Sequence, residues 1–350
     1  MKRFKLSIML ALFCSASSLF AEKPNVVILA TGGTIAGKSD AATSTKYTAG
    51  QLPIEDLLAA VPGAEEYASI KGEQVVNIGS QAMNDKVWLT LAKRCNELLK
   101  QEDVDGIVIT HGTDTKEATG YFLNLTVKSD KPIVLVSSMR NSTSISADGP
   151  KNLFDGIITA AAPESKGMGV LVASNDYIYA VRDLTKTNTT NVATMKAPNW
   201  GPIGVAYNGK PYYYHKTLRK HTTESEFDVS ELTKLPKVDI VYGYSNMDAT
   251  AINAFVENKS KGLIFVGVGN GNIYPDALEA LKEARKKGVV IVRASRTGSG
   301  RTTLDAEVDD KALGFVVADD LNAQKARVLL MLALTKTNDL AEIQKDFFTY

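Results

Sequence analysis

Two β-branched apolar runs in this chain end at turns of the same build. Val26-Val27-Ile28-Leu29-Ala30 leads into Thr31-Gly32-Gly33-Thr34, and Ile107-Val108-Ile109 leads into Thr110-His111-Gly112-Thr113-Asp114-Thr115. Both runs are near-continuous rather than alternating, as in strands buried on both faces. Similar runs occupy 132–136 and 168–173, and helical periodicity intervenes at 85–100 and 116–127. This alternation predicts a mostly parallel sheet covered by helices. Ligands in such sheets sit just past the carboxyl ends of the strands. Two threonine-bearing turns placed there predict one site built from both.

A stretch without sustained apolar period, rich in Tyr, Lys, Thr and Glu, begins near Tyr212 and reads as a linker over 215–236. A second, shorter series follows, with strands expected at 238–242, 263–267 and 289–293. A helix is expected at 276–287, closed by Gly288, and Asn322 is the expected N-cap of an apolar helix reaching 334. The fold class expected is α/β. A larger N-terminal domain (24–214) carries a mostly parallel, flavodoxin-like sheet, and a smaller C-terminal α/β domain spans 237–350.

Residues 1–21 read as a secretory leader, with Lys2, Arg3 and Lys5 ahead of a short apolar run and a small-residue cut after Ala21. The run is too short to span a bilayer, so the mature chain is expected to be periplasmic and free of membrane. Cys14 would suit a lipoprotein, but the bulky Phe13 before it disfavours that processing. Loss of the leader leaves 37 Lys+Arg against 39 Asp+Glu, a balance with no pull toward nucleic acid. It also leaves Cys95 as the one cysteine, on an apolar helical stripe, so a core thiol is expected and no disulfide.

Several chemistries are excluded. There is no Gly-x-Ser-x-Gly elbow and no Gly-Lys-Ser/Thr phosphate loop, and three scattered histidines make no metal site. The loop Gly267-Val268-Gly269-Asn270-Gly271-Asn272 lacks the acid that a dinucleotide site needs after the next strand. The candidates that remain are hydroxyls and their neighbours. Thr34, behind two glycines, is either a nucleophile awaiting activation or a turn residue. Asp114 beside Thr113 suits an ammonium group, or caps the next helix. Lys186 is a base if desolvated near Thr113, or an ordinary surface lysine. Polar residues between Gly37 and Gly50 are a mobile candidate lid, or a plain surface loop.

Together, Thr31-Gly32-Gly33-Thr34-Ile35-Ala36-Gly37 and Thr110-His111-Gly112-Thr113-Asp114-Thr115 resemble the two signatures of the bacterial L-asparaginases. Asn77-Ile78-Gly79-Ser80-Gln81, Met139-Arg140, Ser146-Ala147-Asp148-Gly149-Pro150 and the blocks beginning at Thr302 and Asn322 are similar too. The resemblance spans 25–350 and, with the leader, points to the exported type II enzymes. It implies hydrolysis of the side-chain amide of L-asparagine, often with weaker action on L-glutamine, through an acyl-threonine and without a cofactor or metal.

On that resemblance Thr34 is the nucleophile and Tyr47, on the lid, activates it. Thr113, Asp114 and Lys186 handle water or the leaving ammonia. Ser80 holds the substrate's α-carboxylate, while Asp114 and Gln81 hold its ammonium group. Asn272 and Glu307 reach the site from a neighbouring subunit of a homotetramer. A broad glutaminase-asparaginase is the near alternative, and an exported amino-acid binding protein the distant one. Lys116, Gly120, Ser137, Ser138 and Asn141 depart from the family's usual residues. Gly120 is expected to cost its helix about 1 kcal/mol relative to Ala, and Lys116 to bring a cation near the rear wall of the site.

Overall fold

The computed structural model describes residues 22–43, 46–50 and 52–350. The expected leader at 1–21, with Cys14, lies outside the described residues. In chain order the first half runs β1 (Asn25–Gly32), α1 (Ile54–Ala59), β2 (Ser69–Ile78), α2 (Asp85–Leu99), β3 (Gly106–Thr110), α3 (Lys116–Thr126), β4 (Ile133–Val136), α4 (Gly149–Ala161) and β5 (Val170–Ser174). Next come β6 (Tyr177–Ala180), β7 (Thr185–Lys186), β8 (Met195–Lys196), β9 (Gly204–Tyr207) and β10 (Lys210–Tyr213). The second half holds β11 (Val238–Tyr242), α5 (Thr250–Glu257), β12 (Gly262–Gly267), α6 (Pro275–Lys286), β13 (Val290–Ser295), α7 (Asp310–Leu313), β14 (Val316–Val317), α8 (Ala323–Ala333) and α9 (Leu340–Thr349).

The large sheet has the order β10-β9-β6-β5-β4-β3-β1-β2. Its parallel part, β2-β1-β3-β4-β5, is the flavodoxin-like order, which reverses direction between β1 and β3. The continuous apolar runs are explained by burial on both faces. Val27, Leu29, Ile107, Ile109, Ile133 and Leu135 pack under α2, α3 and α8, while Val26, Ile28, Val108, Val134 and Val136 pack under α1 and α4. The second sheet, β11-β12-β13-β14, is wholly parallel. One apolar cluster runs from the large sheet through α3 and α8 to the inner face of this second sheet. Cys95 lies inside it, and burial pushes its thiol up to about 12.

Five strands of the large sheet lay outside the sequence expectation or were displaced from it. β2 is an edge strand with polar and half-buried residues, so it carries no continuous apolar run. β5 begins two residues later than expected, because Gly167 and Gly169 hold positive φ before it. β6, β9 and β10 extend the sheet antiparallel. Their turns, Asn175-Asp176 and Asn208-Gly209, have positive φ at both residues, the backbone of tight hairpin turns. The change of character near Tyr212 therefore starts inside β10. Within 215–236 the chain is largely irregular, with Phe227 and Val229 buried against the main cluster.

The Gly267–Asn272 loop is closed from within. Buried Arg293 donates to the carbonyls of Asn270 and Gly271 and pairs with Asp310 at 2.5 and 2.6 Å. Gly120 has a reason as well. α3 lies so close to the sheet that a methyl group at position 120 would overlap Val181 Cγ2. Ala is the better helix former by about 1 kcal/mol, but a β-branched neighbour at a buried site cannot move aside. Gly120→Ala is therefore expected to destabilise the fold by about 1–3 kcal/mol. Adding Val181→Ala should recover most of the loss in denaturant unfolding, and a stabilised single variant would show that the space exists.

Candidate active site

The site begins where β1 and β3 stop. Gly32 and Gly33 take φ of 100° and 82°, a backbone that L side chains rarely adopt, and Gly33 N donates to Ile78 O at 2.9 Å. A Cβ at Gly33 would overlap the backbone of Gly112, and one at Gly112 would overlap Ser80 Oγ. The absence of side chains thus lets the turns after β1, β3 and β2 touch. Thr34 opens the short helical turn Thr34–Ala36, facing the turn that carries Thr113.

Thr34, Tyr47, Thr113, Asp114 and Lys186 line one cleft of about 480 Å³. Thr34 Oγ1 and Tyr47 Oη share a hydrogen bond of 2.7 Å. Lys186 sits on the two-residue strand β7, held by β8. Its Nζ donates to Thr113 Oγ1 at 2.9 Å and to Asp114 Oδ1 at 2.6 Å. The cleft thus holds two hydroxyl-centred groups, one with a phenol and one with an amine and a carboxylate. Asp114 keeps 55% of its side chain exposed, which leaves carboxylate oxygen for a cationic ligand group.

The other expected residues are placed differently. Ser80 is buried at the rim of the turn contact, where its Oγ accepts from Asp114 N at 3.2 Å and, among the described residues, donates to none. Gln81 follows it and is exposed. Asn272 and Glu307 lie in the C-terminal half, hydrogen-bonded to each other, with Glu307 exposed. Neither lines the cleft of its own chain.

Arg140, Asn141, Thr189 and Thr190 also line the cleft, and sequence reasoning assigned none of them to it. Asp148 was the available signal. Its carboxylate accepts from the backbone N–H of Met139 and Arg140 at 2.9 Å each and so fixes that loop. Asn141 Oδ1 accepts from Thr143 N and Oγ1, making a local side-chain turn, and Ser138 Oγ donates to Arg140 O at 2.7 Å. In the segment expected as a lid, Lys38 and Thr48 form a β-bridge, and its described residues at Ser39 and Ala42 are tied to this loop. Ser39 exchanges hydrogen bonds with Thr143, and Ile145 N donates to Ala42 O.

Behind the cleft, His111 is fully buried. Its Nδ1 faces Gly112 O at 2.7 Å, so it donates there, and Nε2 accepts from Thr119 Oγ1 at 2.9 Å. Thr119 Oγ1 in turn accepts from Trp88 Nε1 at 2.9 Å. Burial drives the imidazole down to about 4, with nearby Lys116 adding to the effect, so His111 is a neutral brace for the Gly112 turn.

Comparison with known proteins finds one family over both halves of the chain. The family model "Asparaginase, N-terminal" matches residues 25–219, and "Glutaminase/Asparaginase C-terminal domain" matches 237–347. The chain is 53% identical over 350 residues to L-asparaginase 2 of Escherichia coli, covering all of both chains. It is 52% identical to a probable periplasmic L-asparaginase of Haemophilus influenzae, over 93% of each, and 47% identical to a glutaminase-asparaginase of Pseudomonas fluorescens, over 93% and 90%. A solved structure, a probable cytoplasmic L-asparaginase from Campylobacter jejuni, superposes with a TM-score of 0.91 at 48% identity, over 94% of this chain and 100% of that one.

The His111 brace has a pH signature. Its folded value lies below the unfolded one, so unfolding takes up a proton between about pH 6.5 and 4. The stability contributed is whole above that window and is lost as pH falls through it, by about 3 kcal/mol at the acid end. His111→Gln, which cannot charge, should lose less stability than the parent between about pH 7 and 4.5 in denaturant titrations. Equal losses would show that His111 is not the group that titrates.

Proposed function

The chain belongs to the asparaginase family, and from that premise we propose that it hydrolyses the side-chain amide of L-asparagine through an acyl-threonine, giving L-aspartate and ammonia, with L-glutamine a weaker substrate. The observation that carries this reading is the pair of hydroxyl groups, Thr34 with Tyr47 and Thr113 with Lys186, facing one cleft. Thr34 Oγ1 attacks the amide carbon, and its proton passes toward Tyr47 Oη. The carbon–nitrogen bond breaks, the nitrogen takes the proton that Tyr47 relays from Thr34, and ammonia leaves. Water then adds to the β-aspartyl ester, positioned by Thr113, and the neutral amine form of Lys186 takes its proton. The ester carbon–oxygen bond breaks, and Thr34 Oγ1 regains a proton as Lys186 gives that one back. No step calls on a cofactor or a metal.

The substrate is a zwitterion, and the cleft offers partners to both ends. Exposed Asp114, with Gln81, takes the ammonium group, and the proton of Ser80 Oγ goes to the α-carboxylate. Asn272 and Glu307 complete the site of a neighbouring subunit in a homotetramer. That assignment is supported by their position away from the cleft of their own chain and by the exposure of Glu307. Export to the periplasm is supported by the Haemophilus influenzae relative, itself a probable periplasmic L-asparaginase. It is supported also by the match to the Escherichia coli protein, which extends through the leader residues.

Ammonia release tests the reading. The purified mature chain should release ammonia from L-asparagine faster than from L-glutamine. One methylene is worth about 1–3 kcal/mol, or 10- to 200-fold, in kcat/KM. Thr34→Ala should lower kcat by roughly 10³-fold or more with the fold intact. Turnover undiminished in Thr34→Ala would remove the nucleophile assignment, and equal kcat/KM on both amides would make the chain a broad glutaminase-asparaginase.

A further inference from the structure

Behind the cleft wall, three residues past Thr113, lies a lysine that the reaction above does not use. Lys116 opens α3 with 0% exposure, and its Nζ donates to Ser137 Oγ at 2.6 Å, just past the end of β4. Ser137 is itself buried. Two of the positions that depart from the family resemblance are therefore one contact. Ser137 is the one hydrogen-bond acceptor of Lys116 among the described residues, whereas an ammonium brings three donors. The first turn of a helix also opposes a cation, because the peptide dipoles direct their positive end there.

These conditions put the charge of Lys116 in play near neutrality. Burial pushes the amine down to about 7; the Asp148 carboxylate works against this and the Lys186 ammonium adds to it. The groups that face it come from every neighbouring element. They are neutral His111 after β3, Ser137 after β4, Asp148 before α4 and Lys186 on β7. Glu117, next on α3, is turned away to Asn322 Nδ2 at 2.7 Å.

We propose that Lys116 is a positioning residue for the Thr113–Lys186 pair, its buried amine, seated on Ser137, setting the field under which the Thr113 hydroxyl and its water give up a proton. The inference rests on Thr113 and Lys186 being the water-handling pair. When Lys116 is charged, the positive potential it adds favours negative charge on Thr113 Oγ1 and on the attacking water. When it is neutral that help is absent. The proton moves from water or Thr113 to Lys186 Nζ in its neutral amine form, and Lys116 forms no bond in the step.

Lys116→Met, unbranched and of similar length, removes the charge and keeps the volume. The aspartate-forming step, followed by rapid quench on L-asparagine, should be roughly three- to tenfold faster in the parent than in Lys116→Met near pH 6. The ratio should fall to one by about pH 8.5, with its midpoint near 7. Ser137→Ala, which keeps the amine but removes its acceptor, should move that midpoint to lower pH. In parallel, the ¹³Cε resonance that Lys116→Met deletes should titrate near 7. A ratio that is constant with pH, or a resonance that titrates near 10, would reduce Lys116 to packing. A parent that releases no ammonia at any pH would instead overturn the hydrolase reading.

Discussion

The contact between the backbones of Gly33 and Gly112 is what the rest of the site depends on. β1 and β3 are neighbours with Ala30 paired to Thr110, so their carboxyl ends emerge side by side. Parallel neighbours ordinarily splay at this point, and side chains keep the following turns apart. Here neither turn carries a Cβ at the contact, and the two backbones meet. Ser80, from the turn after β2, closes on the far side of Gly112 and fixes Asp114 through its backbone N–H. A substitution at Gly33 would combine strained φ with a backbone clash. Thr34 and Thr113 would be drawn apart before either side chain was changed.

Around that contact the charges are sorted by depth. The outer pair, Lys186 and Asp114, stays partly wet and faces the cleft. The inner layer, His111 and Lys116, is dry, and burial works there against the charged form of each. Two further buried links tie the halves of the molecule together behind the site. Arg182 pairs with Asp320 at 2.6 Å, and Glu117 on α3 accepts from Asn322, the N-cap of α8. The helix that begins just past Thr113 and Asp114 is thus also the one on which the second sheet is mounted.

Much of this was legible in the sequence, for identifiable reasons. Strands buried on both faces write themselves as unbroken apolar runs, so β1, β3, β4, β12 and β13 could be read directly. β2 could not, because an edge strand half in solvent alternates weakly, and Asn208-Gly209 was an unused hairpin signal. In the site, the turn glycines marked Thr34 and Thr113 as close to backbone. Lys186 is different. It lies 73 residues from Thr113, and nothing local to it announces the hydrogen bond that tertiary structure makes. Arg140 and Asn141 were missed, although Asp148, whose carboxylate holds their loop from across a turn, lies in a block that the resemblance already quoted. Ser137 and Lys116 stood as separate departures, and only the packing of α3 on β4 makes them one pair.

The division of labour between the two threonines is the central claim, with Thr34 forming the ester and Thr113 with Lys186 clearing it. Mass spectrometry of Lys186→Met, quenched during turnover of L-asparagine and digested, tests it most directly. With acylation intact and water activation impaired, a β-aspartyl adduct should accumulate on the peptide that carries Thr34. An adduct on the peptide that carries Thr113 would contradict the assignment and reverse the roles of the two turns.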